Sequence, residues 1–543
     1  MSGLPGMIHA DGIQKYKQTQ FAGYDHTLGA ANGALWDMEN LTGELCPLLS
    51  PRRPRWIMRQ IEKPRGLYAR DGIYWVDGDG LYAQGNRVGT VEDGPKRFAS
   101  LGAYLVILPD KAYYNRLTGE FGSLEARWNG SATIGDGTFA GEEAKGNTIR
   151  AAGTDWAALG FRAGDAVTVS GCAAHPENNK TPIIREIEGE ELRFYENVFI
   201  TGEDGDREAA VSIERTAPEL EFICENENRL WGCKGDTIYA CKLGDIFNWN
   251  VFDGLATDSY AADVGSAGDF TGCCSYRGYP VFFKEEHIYK VYGSKPANFQ
   301  VMGSASLGVE KGSGDSLAIA GETLFYLSRT GITAYTGGIP QSVAASFGTQ
   351  RFRNAVGGSD GTRYFVSMED QDGARHLFVY DTRRGLWHRE DGTQAVGFAW
   401  DGALYCLDAR GTLWIDGMAR SAPEGCEREG PVEWSAEWAD FYEAAGSSSS
   451  AAPIPQEKGI GKLLIRLELD EGAEADILIQ FDSDGVWRRV KRLEAGRKRS
   501  FYLPVVPRRC DHFRLRMEGK GGCRVYSLTR EVYAGSELKG DGA

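Results

Sequence analysis

The chain has 543 residues, with 76 acidic against 60 basic side chains and a formal net charge of −16. Nonspecific affinity for nucleic acid comes mainly from neutralisation of phosphates by Lys and Arg, so this balance argues against a protein that grips DNA. A composition of 42% hydrophobic and 25% charged residues excludes a disordered chain, and the length predicts about three to four domains.

Glycine is abundant at 71 residues, proline is sparse at 19, and Tyr, Phe and Trp number 24, 24 and 13. Glycine supplies the positive φ of tight turns and aromatics pack well on pleated surfaces, so the mixture predicts many short strands. The eleven cysteines are scattered without a CxxC pair, which predicts buried, unpaired thiols in a reducing compartment. The opening MSGLPGMIHADG has no basic stretch followed by an apolar one, and no window approaches 18 apolar residues. The expectation is therefore no signal peptide and no membrane-spanning segment.

In chain order, residues 1–65 show no sustained period and are expected to form an extended N-terminal arm, packed on other parts of the chain or on other subunits. The basic cluster Pro51-Arg52-Arg53-Pro54-Arg55 in this arm reads as a solvated or subunit-contacting turn, with a local basic patch as the alternative. A first propeller blade is expected over 66–125, where GLYARDGIYWVDGDGLYAQG sets apolar strands around Asp-Gly turns. Residues 126–217 break that rhythm and predict an inserted small β-barrel or sandwich, with a helical turn at TDWAALGF (154–161). The remaining blades are expected over 218–430. Anchors at Ile238, Phe282 and Leu324 sit 44 and 42 residues apart, a spacing suited to four-stranded blades. About six blades result.

Residues 431–537 alternate strictly, with turns at Glu471-Gly472, Asp484-Gly485 and Lys520-Gly521-Gly522, and predict a C-terminal β-sandwich of jelly-roll type. SSSSAAP (447–453) reads as a flexible linker and 538–543 as a tail. The expected fold class is all-β: a β-propeller with an inserted small β-domain and a C-terminal sandwich.

No constellation marks chemistry. The seven histidines show no metal-ligand spacing, and HExxH and Walker A motifs are absent. FDSDGVW (481–487) departs from the Asp-box spacing and reads as a plain hairpin turn. HPENNK (175–180) and EDQDG (369–373) are oxygen-rich loops that match no calcium motif. WRRVKR (487–492) and RLEAGRKRS (492–500) form a basic strand and turn, suited to an anion or an acidic neighbouring subunit. The expectation is no catalytic, cofactor or metal residues, and no enzyme.

Three segments carry a resemblance. NLTGELCPLLSPRRPR (40–55) resembles openings of tail-associated structural proteins in phages and prophages of Gram-positive bacteria. The run DIFNWNVFDG through GITAYTG (245–337) resembles phage-tail propeller proteins, including the tail nozzle proteins of short-tailed phages. PRRCDHFRLRMEGKGGCRVYSLTREVYAGSE (507–537) resembles the terminal sandwich of the same group. The resemblance implies a virion structural protein: a homo-hexameric ring assembled in the host cytoplasm, forming part of the DNA-ejection conduit. Its partners would be an adaptor and fibres or tailspikes, with DNA passing without sequence-specific binding. An acidic ring suits a conduit that must not grip its cargo. Two alternatives stand beside this reading. One is an adhesin recognising cell-wall glycan through exposed aromatics such as Trp487 and Tyr502. The other is a propeller glycosidase, which requires paired carboxylates in a pocket.

Overall fold

The computed structural model describes residues 14–27, 34–135, 147–195, 199–201, 206–442, 456–505 and 508–537. The fold is all-β and of the propeller class, with two compact units, Glu62–Gly314 and Met1–Ile61 joined to Asp315–Ala543. Among the described residues no helix is long and apolar enough to cross a membrane. The expected linker 447–453 and the tail 538–543 lie outside the described residues.

The repeating element is an antiparallel sheet of four strands in sequential order. The Glu62–Gly314 unit holds four of them, spanning 64–90, 97–123, 222–263 and 272–305. The other unit holds three, spanning 318–342, 352–389 and 395–415, the last completed by further strands. Among the described residues the count is therefore seven, where the sequence suggested about six. The stretch 66–125, taken as one blade, contains two complete sheets joined by 91–96. The spaced anchors are also not equivalent: Ile238 lies in the third strand of its sheet, and Phe282 and Leu324 lie in second strands.

The second strands explain the packing. Ile73–Asp77, Tyr104–Leu108, Arg229–Lys234, Tyr279–Phe283 and Thr323–Ser328 are buried along nearly their whole length. A strand covered on both faces must be apolar at successive positions instead of alternate ones. IYWVD, YLVIL and YPVFF have that character. First strands of neighbouring sheets lie side by side within each unit, as with Arg97–Leu101 beside Phe222–Asn226, and Phe352–Ser359 beside Ala395–Trp400. They are rich in Gly, Ala, Ser and Cys, and among the described first strands Glu225 is the only carboxylate. The acidic excess of the chain lies elsewhere.

The inserted segment is a six-stranded sheet with its own core around Trp156, Phe161, Ile184 and Phe194. Its first strand Ala126–Gly135 and last strand Asp206–Arg215 pair with each other, Ala126 opposite Arg215. The chain thus leaves and rejoins the blades at one point, which is why they accommodate the insertion. The expected helical turn is a turn, closed by the Leu159 amide donating to Asp155 O at 3.2 Å, without a helix following it.

The N-terminal segment is built into the fold. Trp56–Gln60 is the fourth strand of the 395–415 sheet, pairing with Thr412–Ile415. Gln14–Gln18 pairs with Cys523–Glu537 and Leu35–Glu39 with Glu433–Trp438, so both are edge strands of the C-terminal sheet.

That C-terminal sheet is one curled, eight-stranded sheet. Its central strand, Gln456–Phe481, changes partner along its length. The first half pairs with Cys523–Glu537 (Ile465 opposite Leu528) and the second with Phe513–Lys520 (Ile477 opposite Met517). Pairing lapses between Leu469 and Glu474, where Gly472 adopts a φ of 75°. The expected turn at Glu471-Gly472 is thus a bend inside a continuous strand. The bend lets Leu463, Ile465, Leu467, Ala475, Ile477 and Ile479 face one core.

Candidate functional site

The basic cluster of the arm is not a surface patch. Arg52 and Arg55 are both 7% exposed, so neither a solvated turn nor a basic surface patch describes them. Arg52 donates to both oxygens of Glu429 at 2.6 and 2.9 Å, and its Nε donates to Asn40 Oδ1 at 2.7 Å. Arg55 donates to Glu390 Oε2 at 2.6 Å and to Asp391 Oδ2 at 2.7 Å, and stacks 4.0 Å from the Trp414 ring centre. Burial opposes every charge here. For Asp391 burial is the largest single influence, but Arg55, Thr393 and Arg52 together outweigh it and draw the carboxyl down to about 2. Arg55 is held above its ordinary range, because Asp391 and Glu390 overrule the desolvation that would lower it. Only Arg53 of the cluster is exposed, and it pairs with Glu44.

Beside this network two cavities adjoin, sharing Asp360 and Met418 as walls. The smaller, about 220 Å³, is bounded by Gly43, Asp381, Arg384 and His388. The turn after the strand Arg375–Asp381 brings Arg384 Nη1 within 2.5 Å of Asp381 Oδ2. His388 is buried, and burial drives its imidazole down to about 4 although Asp381 pulls the other way. It is therefore neutral near pH 7. A Cβ at Gly43 would lie 2.8 Å from His388 Cε1, so the glycine lets the arm close over the histidine.

The larger cavity, about 640 Å³, is a groove between the ends of the 395–415 strands and the segment 416–423. Trp400 stands at its edge, 51% exposed, next to Asp401, with Tyr405, Asp416 and Arg420 also lining it. Arg363 bridges Asp360 and Asp416, donating to Asp360 Oδ2 at 2.7 Å through Nε and to Asp416 through Nη2. Asp360 also accepts the Thr362 and Arg363 amides at 2.9 and 2.7 Å. Burial raises its pKa, but Arg363 and these amides carry it below the ordinary value. A general acid of a glycosidase needs a carboxyl kept protonated near neutral pH. Asp360 is tuned the opposite way. The groove offers an aromatic face and charged rims, which is chemistry for holding a polar ligand.

The other segments singled out in the sequence are committed internally. In HPENNK, Asn178 bonds both the amide and the carbonyl of Ile200, each at 2.9 Å, and Asn179 bonds Cys172. In EDQDG, Glu369 pairs with Arg353 and Arg375, and Asp370 with His376 at 2.7 Å. Among the described residues no group of three or more His, Cys, Asp or Glu is arranged to hold a metal. The basic strand Arg488–Leu503 spends Arg488 on Asp484 and Arg492 on Glu474. Of the two aromatics named for glycan contact, Tyr502 is exposed, while Trp487 is half-buried with Arg516 stacked 5.9 Å away. Trp400 was missed. Its signal was a large aromatic immediately before the Asp401-Gly402 turn, where a strand end reaches solvent.

No family model and no curated protein matches the sequence. Solved structures do align. The exo-β-1,3-galactanase of Phanerochaete chrysosporium aligns at 9% identity and a TM-score of 0.22, over 57% of this chain and 95% of that one. PorZ, a surface component of the type-IX secretion system of Porphyromonas gingivalis, aligns at 10% identity and a TM-score of 0.27, over 87% of this chain and 71% of that one. A bifunctional GH43-CE protein of Bacteroides eggerthii aligns at 9% identity and a TM-score of 0.20, over 60% and 63%. The sequence expectation of a non-enzyme is corrected by these alignments, since chains named for glycoside hydrolysis are among them. At these TM-scores the likeness transfers no activity to this chain.

Proposed function

We propose that this chain is a structural protein of a bacteriophage tail, of the nozzle type, working as a homo-hexameric ring in the DNA-ejection conduit. The observation that carries the reading is the way the arm is woven into the fold. The segment that resembles tail-protein openings, 40–55, supplies Arg52 and Arg55 to a buried ion network. The flanking strands Leu35–Glu39 and Trp56–Gln60 complete two different sheets. A protein that must stay assembled outside a cell gains from such cross-stitching, because Trp56–Gln60 cannot leave its sheet without disturbing the buried pairs of Arg55. The further likeness of 245–337 to phage-tail propeller proteins, and of 507–537 to the terminal sandwich of the same group, supports the same reading. On it, the partners are an adaptor above and fibres or tailspikes around the ring. The protein assembles in the host cytoplasm, and DNA passes an acidic protein without base-specific contacts. Proteomics of purified particles, with mass photometry of the purified chain, tests it. The chain in the particle and a six-fold mass are expected; a particle without the chain contradicts the proposal.

A second reading is favoured by the Trp400 groove. An exposed indole beside Asp401, Asp416 and Arg420 suits stacking on a sugar face with hydroxyl contacts at the rim. On this reading the subunit also recognises a cell-wall glycan. Binding to a glycan array that Trp400→Ala abolishes supports it, and an array without hits rejects it.

A further inference from the structure

The turn between the strands Gln456–Phe481 and Arg488–Leu503 has an unusual backbone. Asp482 and Ser483 take φ values of 51° and 50°, and the Asp484 amide donates to Phe481 O at 3.0 Å. Two successive positive φ angles are the geometry of a type I′ turn, which Asn-Gly fills without strain. Aspartate and serine there cost free energy, so the conformation needs neighbours that enforce it.

Those neighbours are Asp511 and His512. Asp482 Oδ1 accepts the Asp511 amide at 2.8 Å, and the Asp482 amide donates to His512 O at 3.1 Å. The two segments, 29 residues apart in sequence, are thereby locked together. The locking sets Ser483 Oγ 2.7 Å from His512 Nε2, while His512 Nδ1 lies 3.1 Å from Asp511 Oδ2. Asp511 Oδ1 is buried without a hydrogen-bond partner among the described residues, so this carboxylate serves the imidazole alone. With Nδ1–H donating to Asp511, Nε2 is free to accept the serine proton. Ser483 itself is exposed, and the His512 side chain is 13% exposed.

We propose that Ser483, His512 and Asp511 form an acyl-transfer site that hydrolyses short-chain carboxylic esters. A nucleophile bonded to a base, with the base oriented by a third group, is recognised by geometry and not by motif. Ser483 Oγ attacks the ester carbonyl carbon and its proton passes to His512 Nε2. The tetrahedral intermediate collapses with cleavage of the carbon–alkoxy bond, and the leaving alkoxide takes the proton from Nε2. Water, deprotonated by the same nitrogen, then attacks the acyl-serine, releasing the carboxylic acid and restoring the hydroxyl. Asp511 is a positioning residue. Gly485, in the same turn, donates its amide to no acceptor among the described residues and is available to a developing oxyanion. The surroundings set the substrate class. The site lies at a hairpin tip between Tyr442, whose ring centre is 5.3 Å from that of His512, and Val486, each 51% exposed. An open surface of this kind admits a bulky alcohol portion and offers a long acyl chain nothing to enter.

The test is fluorophosphonate labelling of the full chain with peptide mapping, together with hydrolysis of p-nitrophenyl acetate. Label on Ser483 is expected. Ser483→Gly, which suits a positive φ, should fold normally and lose both label and turnover. His512→Gln should slow labelling by on the order of 100-fold. Asp511→Asn should lower kcat with KM and melting temperature unchanged. Absence of label on Ser483, equal labelling of the rest of the chain in Ser483→Gly, or undiminished labelling of His512→Gln overturns the proposal.

Discussion

Arg55 Nη2 lies 2.6 Å from Glu390 Oε2, with both side chains buried. Arg55 precedes Trp56–Gln60, the strand that completes the 395–415 sheet, and Glu390 follows Leu386–Arg389, the last strand of the sheet before it. This single pair therefore ties the N-terminal segment to two neighbouring sheets. Arg55→Met should destabilise its unit by about 3–5 kcal/mol, because Glu390 is left buried without its main partner. Adding Glu390→Leu should recover part of the loss. Urea denaturation of the three variants checks both statements.

The pH dependence of stability should show two windows. His388 has a folded pKa of about 4 against an ordinary 6.5. A histidine depressed on folding contributes stability that is present above pH 6.5 and lost as pH falls toward 4, since the unfolded chain takes up the proton first. The loss is about 3 kcal/mol. Asp391, at about 2 against 3.8, contributes stability that is present above pH 3.8 and lost toward pH 2, about 2 kcal/mol. Glu390, raised above the ordinary 4.5 by burial, gains stability as pH falls toward 4.5 and so offsets part of the His388 loss. His388→Gln should flatten the slope between pH 4 and 6.5 in melting temperatures recorded against pH.

The arm is packed by close backbone approach as well as by charge. A Cβ on Gly23 would stand 2.2 Å from the main-chain oxygen of Trp387, which accepts the Tyr24 amide at 2.6 Å. Main chain cannot swing aside as a side chain can. Gly23→Ala should cost about 1–3 kcal/mol and leave the Glu62–Gly314 unit intact. Limited proteolysis with mapping of the first cleavage sites should show which unit opens.

Much of this architecture was legible in the sequence, for stated physical reasons. IYWVD and YLVIL announce strands covered on both faces, and the Asp-Gly steps between them announce hairpins. The number of blades was harder to read, because the turns between sheets resemble those within them: the boundary at 91–96, VEDGPK, carries an Asp-Gly step like the hairpins around it. The arm misled because Arg52 and Arg55 look solvated until Glu390, Asp391 and Glu429 arrive from more than 330 residues away. Trp400 was readable in principle from its place before an Asp-Gly turn. The Ser483–His512 contact was not, since only the fold brings the two segments together.

The central claim is the tail role, and cryo-electron microscopy of the intact particle tests it most directly. The account predicts a six-fold ring of this chain below the portal and adaptor, with its acidic surfaces turned toward the DNA path. A chain found only at the periphery or a fibre tip would contradict the conduit role and favour receptor binding through the Trp400 groove.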